Sequence, residues 1–307
     1  MITLGLPYKG SKSAIAEDIV KKLPPGGKIL DACCGGGAVL MALAMSLKYD
    51  KVVGNDLNAA TIRLLDAVLI NKGQIDYEHP VPCSRNDFYN SLQKIKNGTF
   101  DIQDCVNKYC ASFGNDGKTY LYGQEIEQYK LVTERMLTAP TLSERRKFYR
   151  KFFDIVTKKE DDDGRLQKLE FVQRLQSLER LERLERLERL ERLERLDIFD
   201  IDYSEFDVVY FDIPYKGTNK YDFEFDYERF YDLFSTLKIP AFLSEYDAPF
   251  TEVAEFEKTQ LMAASVGSSK STTMEKLYFN GSKEQYRSLM GRYYSDCSSL
   301  GQVELEL

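Results

Sequence analysis

The stretch "GKILDACCGGGAVLMALAMSL", residues 27–47, decides the fold. A short apolar segment ends at Asp31, and Gly35, Gly36 and Gly37 follow before a helical apolar pattern begins. The next stretch, "KVVGNDLNAATIRLLDAVLI" at 51–70, has the same order of strand, acidic turn and helix. Two strand-turn-helix units in direct succession predict a doubly wound, mostly parallel α/β sheet.

Further strands of this sheet are predicted only after a long gap. They are "LDIFDIDY" at 196–203, "DVVYFDIPY" at 207–215, "PAFLSEYD" at 240–247 and "EKLYFNG" at 275–281. The sheet is therefore expected to be interrupted by an insertion between Ile75 and Leu196. The predicted domains are a discontinuous domain of residues 1–80 and 197–285, a mostly helical insertion of residues 81–165, a repeat segment of residues 166–196 and a tail of residues 286–307.

The repeat segment contains "RLQSLERLERLERLERLERLERL", with leucine at every third position from Leu175 to Leu196. In an α-helix, residues three apart are rotated by about −60°, so this track of leucines winds around the helix instead of forming one stripe. Each Glu precedes an Arg by four residues, and all three residue types favour helices. We predict an α-helix that acts as a spacer or lever. A run of three-residue turns or a solenoid is the alternative.

Composition excludes several classes of protein. The chain of 307 residues carries a net charge of −7 and a single histidine, His79, and none of its six cysteines forms a CxxC pair. Neither a zinc site nor a Ser-His-Asp centre is therefore expected. The sequence has no apolar run of transmembrane length and no signal-peptide pattern, so we expect no membrane insertion and a cytoplasmic protein.

The first two predicted strands end in residues suited to a cofactor. In doubly wound sheets, ligands bind beyond the carboxyl ends of the strands, where Asp31, Gly35, Gly37 and Asp56 are expected. The glycines allow the backbone to approach a ligand closely, and an acid in the place of Asp56 binds ribose hydroxyls. Two carboxylates disfavour a triphosphate and suit a cationic nucleoside such as S-adenosylmethionine. Helix N-capping by Asp31 and Asp56 is the alternative.

The stretch "VVYFDIPYKGT", residues 208–218, predicts a catalytic strand end. The amino group of a base is a poor nucleophile because its lone pair is delocalised into the ring. The Asp212 carboxylate and the Ile213 carbonyl would accept both amino hydrogens and so localise that lone pair. Tyr215 would stack on the base once it is flipped out of the duplex. A simple turn is the alternative for an isolated D-x-P-Y.

Four motifs in order, "PYKGSK", "LDACCGGGAV", "GNDLN" and "FDIPY", resemble the D12 class of adenine-specific DNA methyltransferases, the class of the Dam enzymes. The resemblance extends from residue 7 to about residue 280, and "SFGNDGKTYLYGQEIEQYK" is most similar to its phage and prophage branch. It implies a Rossmann-like methyltransferase sheet, S-adenosylmethionine as cofactor and methyl transfer to N6 of a flipped adenine in double-stranded DNA. It also implies an inserted target-recognition region.

The resemblance assigns roles by position. A motif that covers the cofactor and reaches toward the catalytic carboxylate falls on Tyr8, Gly10 and Lys12. Cofactor binding falls on Asp31, Cys33, Gly35, Gly37 and Asp56, with Asp202 and Tyr203 just before the catalytic strand. The catalytic set is Asp212, Ile213, Pro214 and Tyr215. Ile213 stands where the family usually has proline, and activity is expected to survive because this position contributes a main-chain oxygen. Cys33 replaces a common aromatic residue and is expected to loosen cofactor packing.

Target recognition is expected between residues 84 and 165. The candidates for contacts with bases are Asn115, Tyr120 and Tyr122, and those for phosphates are Arg145, Arg146, Lys147, Arg150 and Lys151. Residues 145–159 hold seven Lys or Arg against one acid. An amphipathic helix with a solvated basic side is the alternative.

Two other functions remain open from the sequence. The same acceptor geometry serves N-methylation of a glutamine or a small molecule, although Asp212 and Lys12 favour DNA. The other is a non-catalytic DNA-binding or regulatory relative, against which the acids at 31, 56 and 212 and the tyrosine at 215 argue.

Overall fold

The computed structural model of the protein describes residues 3–156, 170–185, 187–216, 225–261 and 270–299. The chain divides into two compact units. We call Lys12–Leu57 with Arg186–Leu307 the sheet unit, and Met1–Ser11 with Asn58–Glu185 the helical unit.

The described ranges contain seven strands and ten α-helices. The strands are β1 (Gly26–Asp31), β2 (Tyr49–Asn55), β3 (Leu190–Glu194), β4 (Val208–Phe211), β5 (Ala241–Glu245), β6 (Thr251–Leu261) and β7 (Lys270–Phe279). The helices are α1 (Ala16–Lys22), α2 (Ala38–Met45), α3 (Ala59–Leu69), α4 (Arg85–Asn97), α5 (Ile102–Cys110), α6 (Gln124–Thr138), α7 (Leu142–Val156), α8 (Glu170–Glu182), α9 (Tyr227–Thr236) and α10 (Lys283–Ser299). None of these helices, taken over the part of the chain that the structure describes, has the length and apolarity to cross a membrane.

All seven strands form one sheet in the sheet unit, in the order β3-β2-β1-β4-β5-β7-β6. Strands β1 to β5 are parallel, whereas β7 runs antiparallel to both β5 and β6. The predicted doubly wound α/β sheet is confirmed. The strand order reverses between β1 and β4, and the crevice beyond the carboxyl ends at such a reversal is where open α/β sheets bind ligands.

An aromatic cluster fixes the end of β4. Phe211 packs with its ring centroid 5.2 Å from Phe230 and 6.0 Å from Phe234, both on α9. All three side chains are buried. Burial of each contributes about 1.5–3 kcal/mol. The residues that follow β4 therefore extend from a strand end that is held in the buried core.

The repeat forms a helix in its first part. Helix α8 buries Leu175, Leu178 and Leu181. Because residues three apart differ by about −60°, three consecutive leucines still lie within about 120° of one helix face. The predicted helix is confirmed over this part of the repeat.

The last part of the repeat forms β3, so the predicted helix is wrong there. The next leucine would leave the buried face of α8, and in β3 the repeat packs on the sheet instead. A Cβ on Gly54 of β2 would lie 2.8 Å from Leu193 of β3, so the glycine is required for this close approach. The strand predicted at 196–203 is also wrong, since the third strand lies earlier in the chain. Residues 166–169 and 186 of the segment lie outside the described residues.

The helical unit contains α3 to α8. Reciprocal capping boxes start two of its helices: Ser84 with Asp87 at α4, and Asp101 with Asp104 at α5. Such boxes satisfy backbone N–H groups that a helix start leaves unpaired. Helix α3 falls in this unit, whereas we expected it in the discontinuous domain of residues 1–80 and 197–285.

Candidate active site

A buried amide joins the strand ends of the sheet unit. Asn55, the last residue of β2, donates from Nδ2 to the carbonyl of Ala32 at 2.9 Å and to that of Leu196 at 3.1 Å. Its Oδ1 accepts from the Leu196 N–H at 2.8 Å. Asn55 therefore fixes the segment after β3 against the ends of β1 and β2, a role that the sequence did not indicate.

The glycine turn after β1 requires left-handed backbone. Gly35 has φ +47° and Gly37 has φ +78°, a region that favours glycine. The Gly35 N–H donates to Asp56 Oδ2 at 2.9 Å, so the acid after β2 holds the turn. The N-capping alternative is wrong for both acids, because Asn58 caps α3 and Gly37 precedes α2 without a side-chain cap.

Asp31 ends β1 as a buried carboxyl, 1% exposed. Neither of its oxygens meets the distance and angle of a hydrogen bond to another described residue. Burial raises the pKa of Asp31 well above its ordinary value, and the carboxylates of Asp212 and Asp56 raise it further. The Cys33 N–H and the Lys12 charge act in the opposite direction. A buried carboxyl whose hydrogen-bonding capacity is not filled is unfavourable, so a donor from a ligand fits here.

A buried lysine holds the carboxylate after β4. Lys12 Nζ lies 2.7 Å from Asp212 Oδ1 and 3.4 Å from Glu275 Oε1. Lys12 is 5% exposed and the Asp212 side chain 22%. Burial alone lowers the pKa of Lys12, but the two carboxylates outweigh it and raise that pKa overall. Lys12 binds one carboxylate oxygen of Asp212, Oδ1, and the side chain keeps partial access to solvent.

The rest of the tetrapeptide after β4 is held by aromatic and backbone contacts. The Ile213 side chain is buried in the aromatic cluster, and the Pro214 carbonyl accepts from the Tyr227 hydroxyl at 2.8 Å. The ring centroid of Tyr215 lies 4.7 Å from Lys12 Nζ and 4.6 Å from that of Tyr246. The structure thus brings the predicted catalytic residues and Lys12 together.

The neighbourhood of Lys12 is rich in acids. Glu245, buried at the end of β5, accepts from the backbone N–H groups of Tyr246 at 2.8 Å and Lys216 at 3.2 Å. Burial raises the pKa of Glu245 to about 7. Asp31, Asp212, Glu245 and Glu275 all interact electrostatically with Lys12. One cation among four acids disfavours a triphosphate and fits a cationic ligand. Sequence reasoning missed Glu245 and Glu275.

Three predicted cofactor residues of the sheet unit have partners within the protein. Asp202 is exposed, and its bonds from the Ser204 hydroxyl and N–H lower its pKa. Tyr203 is buried and donates its hydroxyl to the Ile198 carbonyl at 2.6 Å. Cys33 packs against the aromatic cluster, and burial raises the pKa of its thiol. That these three residues contact the cofactor stays a prediction. Because the Tyr203 hydroxyl already binds the Ile198 carbonyl, only its ring would be available for such a contact.

Two predicted cofactor residues belong to the helical unit. The Tyr8 ring stacks on Tyr109 at 6.1 Å with an interplanar angle of 28°. The Tyr109 hydroxyl in turn bonds Thr61 Oγ1 at 2.6 Å. Gly10 has φ +81°, which only glycine adopts readily. That Tyr8 and Gly10 cover a cofactor stays a prediction.

Two of the three predicted base contacts fall on buried tyrosines. Tyr120 is 3% exposed, donates its hydroxyl to the Cys83 carbonyl at 2.8 Å and lies under the Arg85 guanidinium. Tyr122 is also buried and donates its hydroxyl to Glu134. Both hydroxyls have partners within the protein, and a base contact of either tyrosine stays a prediction. Asn115 has φ 58° at the end of an exposed turn, and its base contact stays a prediction.

The basic residues of the helical unit lie on α7. Arg146, Lys147, Arg150 and Lys151 are exposed. Arg145 donates from Nε to the Ala139 carbonyl at 2.9 Å, so this side chain closes the end of α6. Arg145 is exposed as well, and the phosphate contacts of all five residues stay predictions. Residues 157–159 of the basic segment lie outside the described residues.

Comparison with known proteins matches the chain to one family. The family model of the D12 class N6 adenine-specific DNA methyltransferases matches residues 8–278. No curated protein sequence matches the chain. A search of the described residues for clusters of His, Cys, Asp and Glu that could hold a metal ion finds none.

Proposed function

The chain belongs to the D12 class of N6 adenine-specific DNA methyltransferases, and from this membership we propose that Asp212 and Ile213 bind the amino group of an adenine extruded from double-stranded DNA. Methyl transfer from S-adenosylmethionine to N6 of adenine is the activity of this family. The assignment of residues to its steps is our proposal.

The donor set at the strand ends fits S-adenosylmethionine. When bound, this cofactor supplies a methyl group activated by a sulfonium. The buried Asp31 carboxylate would accept hydrogen bonds from its ammonium group, and the glycine turn held by Asp56 would let its nucleoside approach the backbone. The excess of acids around Lys12 favours the cationic charge.

The contact that carries the proposal is the 2.7 Å bond between Lys12 Nζ and Asp212 Oδ1. It fixes the carboxylate and leaves Oδ2 for one N6 hydrogen, while the Ile213 carbonyl accepts the other. Hydrogen bonds from both N6 hydrogens to these acceptors withdraw the N6 lone pair from conjugation with the ring and localise it toward the methyl group. Formation of the N6–C bond would accompany cleavage of the sulfonium S–CH3 bond, with a neutral thioether as the leaving group, and N6 would then carry one proton too many. We assign Asp212 Oδ2 to take that proton and release it to solvent, since its side chain is 22% exposed.

We assign target recognition to residues 81–165, with phosphate contacts from α7. Arg146 and Arg150 are four residues apart on this helix, as are Lys147 and Lys151. Like charges at this spacing destabilise a helix by about 0.2–0.5 kcal/mol per pair. An exposed face with four cations is stabilised by a polyanion, and DNA phosphates provide one. This face favours DNA over a free glutamine or a small molecule.

Identification of the methylated base tests the proposal. The protein is incubated with S-adenosylmethionine and unmethylated genomic DNA, which offers many target sequences, and the nucleosides are quantified by mass spectrometry. We expect N6-methyldeoxyadenosine with the wild type and about 10²- to 10³-fold less with Asp212→Ala. Asp232→Ala, an exposed acid on α9, is the matched control. Heat-denatured DNA tests the preference for duplex. Methylation of cytosine or only of protein, or equal activity of Asp212→Ala, would overturn the proposal.

A further inference from the structure

Glu275 reaches the candidate site from an unexpected strand. Because β7 is antiparallel to β5, Glu245 at the end of β5 pairs with Lys276. Glu275 therefore lies one residue beyond that pair, at the sheet edge where β5 ends. Its side chain is 1% exposed.

The Glu275 carboxylate forms an ion pair with the lysine that holds Asp212. Its Oε1 lies 3.4 Å from Lys12 Nζ, the ammonium that also holds Asp212. Burial and the carboxylates of Asp212 and Glu275 raise the pKa of Tyr215. Glu275 therefore forms an ion pair with the lysine that binds the catalytic carboxylate, and it also acts electrostatically on the tyrosine assigned to stack on adenine.

We propose that Glu275 is a positioning residue that shares the Lys12 ammonium with Asp212 and so keeps one Asp212 oxygen available to the adenine amino group. The inference rests on the proposed role of Asp212. The Lys12 ammonium donates to Asp212 Oδ1 and forms an ion pair with Glu275 at 3.4 Å, and the group of three carries a net negative charge. Asp212 is then only partly neutralised and stays a strong acceptor.

Without Glu275, Lys12 would face Asp212 alone. The ammonium has three donors and a flexible stem, so it would be free to bridge both Asp212 oxygens. Oδ2 would then be occupied when the base arrives, and its acceptor strength would fall. The alternative is that Glu275 only offsets the buried charge of Lys12, in which case its loss would affect stability and not the chemical step.

Single-turnover methylation separates these alternatives. With Glu275→Gln we expect a rate about 10- to 100-fold lower, because misplacement by about 1 Å costs up to about 10²-fold. Affinities for S-adenosylmethionine and DNA are expected to stay within about threefold. Glu252→Gln is the control, since Glu252 on the adjacent strand β6 pairs with Lys276 at 2.9 Å but is exposed. A Glu275→Gln rate within about twofold of wild type, or a loss that follows cofactor affinity, would overturn the proposal.

Two further measurements report on Lys12 itself. The groups that face its ammonium are Asp212, Glu275, Asp31, Glu245, Tyr215 and Tyr246. Glu275 raises the pKa of Lys12, so that pKa should be lower in Glu275→Gln. The alkaline limb of the plot of rate against pH should then move to lower pH, and an unmoved limb contradicts the proposal. In a Lys12→Met background, Glu275→Gln should change the rate by less than about twofold, since it acts through Lys12.

Two further variants, Glu275→Asp and Asp212→Ala, separate a folding defect and a failure of the proposed function from a failure of the role of Glu275. If Glu275→Gln does not fold, Glu275→Asp replaces it: the shorter acid keeps the charge but retracts it, and a rate within about twofold of wild type then overturns the proposal. If Asp212→Ala retains activity, the proposed function fails. If Asp212→Ala is inactive and Glu275→Gln is normal, only the role of Glu275 fails.

Discussion

The charges at the strand ends of the sheet unit and the charges on α7 of the helical unit differ in their relation to water. Lys12, Asp31 and Glu275 are almost fully buried. The cations of α7 are exposed. A buried charge has a high desolvation penalty and depends on one or two defined partners. An exposed charge interacts weakly and is screened by salt, so such charges act as a group.

This difference indicates that the buried and the exposed charges have different functions. The buried set fixes a carboxylate to within hydrogen-bonding distance of one target atom, which methyl transfer requires. The exposed set attracts a polyanion without defining a sequence, which is how phosphate contacts contribute to binding. Substitutions in the two regions should therefore differ in size, in pH dependence and in salt dependence.

The largest effect is expected from Lys12→Met. This change leaves Asp212 and Glu275 as uncompensated neighbouring acids, and removing one partner of a buried pair costs about 3–5 kcal/mol. We expect a methylation rate lower by about 10²- to 10³-fold and a clear fall in the free energy of unfolding, measured in denaturant. Lys51→Met is the control, because Lys51 pairs with Glu191 at the surface and should cost at most about 1 kcal/mol. Equal losses in the free energy of unfolding for Lys12→Met and Lys51→Met would contradict the distinction between buried and exposed charges.

A smaller effect, on cofactor affinity, is expected from Asp31→Asn. The pKa of Asp31 is raised in the free protein, so its carboxyl holds a proton at low pH. A cationic cofactor favours the ionised form, so binding should release that proton and tighten as pH rises through this pKa, then level off. Calorimetry across pH should show this in the wild type.

The Asp31→Asn variant should bind about 10-fold more weakly, by loss of a charge-assisted bond, and should release no proton. Asp202→Asn, at an exposed acid, is the control. Affinity of the wild type that is independent of pH would contradict the assignment of Asp31.

The smallest effect on chemistry is expected from α7. Replacing Arg146, Lys147, Arg150 and Lys151 with alanine removes up to four phosphate contacts. Each contributes about 0.9 to the slope of log affinity against log salt, so the slope should fall by about 2–4. The single-turnover rate at saturating DNA should not change. Lys22→Ala with Lys96→Ala, two exposed cations outside α7, is the control. An unchanged slope would exclude α7 from the interface.

The elements predicted from sequence are those whose determinants are local. The runs that end at Asp31, at Asn55 and before Asp212 each combine an apolar strand with an acid and a turn, and all three strands are present. Their proximity follows from the parallel topology alone.

The errors arise where local sequence does not decide the structure. The Leu-Glu-Arg triplet matches neither the helical period nor the strand period, so tertiary packing makes one copy helical and another extended. Glu275 was missed because it lies in the middle of β7, not at a strand end. The antiparallel pairing of β7 with β5 brings it to the site, and residues distant in sequence set the register of that pairing. The burial of Tyr120 and Tyr122 was not predicted, because composition does not reveal burial.

A structure of the protein with duplex DNA and a non-reactive analogue of S-adenosylmethionine tests the central claim most directly. The distances to measure are those from adenine N6 to Asp212 Oδ2 and to the carbonyl oxygen of Ile213. We predict both to be about 2.7–3.2 Å, with Lys12 still bound to Oδ1. An extruded adenine whose N6 lies beyond about 4 Å from Asp212, or an Asp212 with both oxygens held by Lys12, would contradict the account.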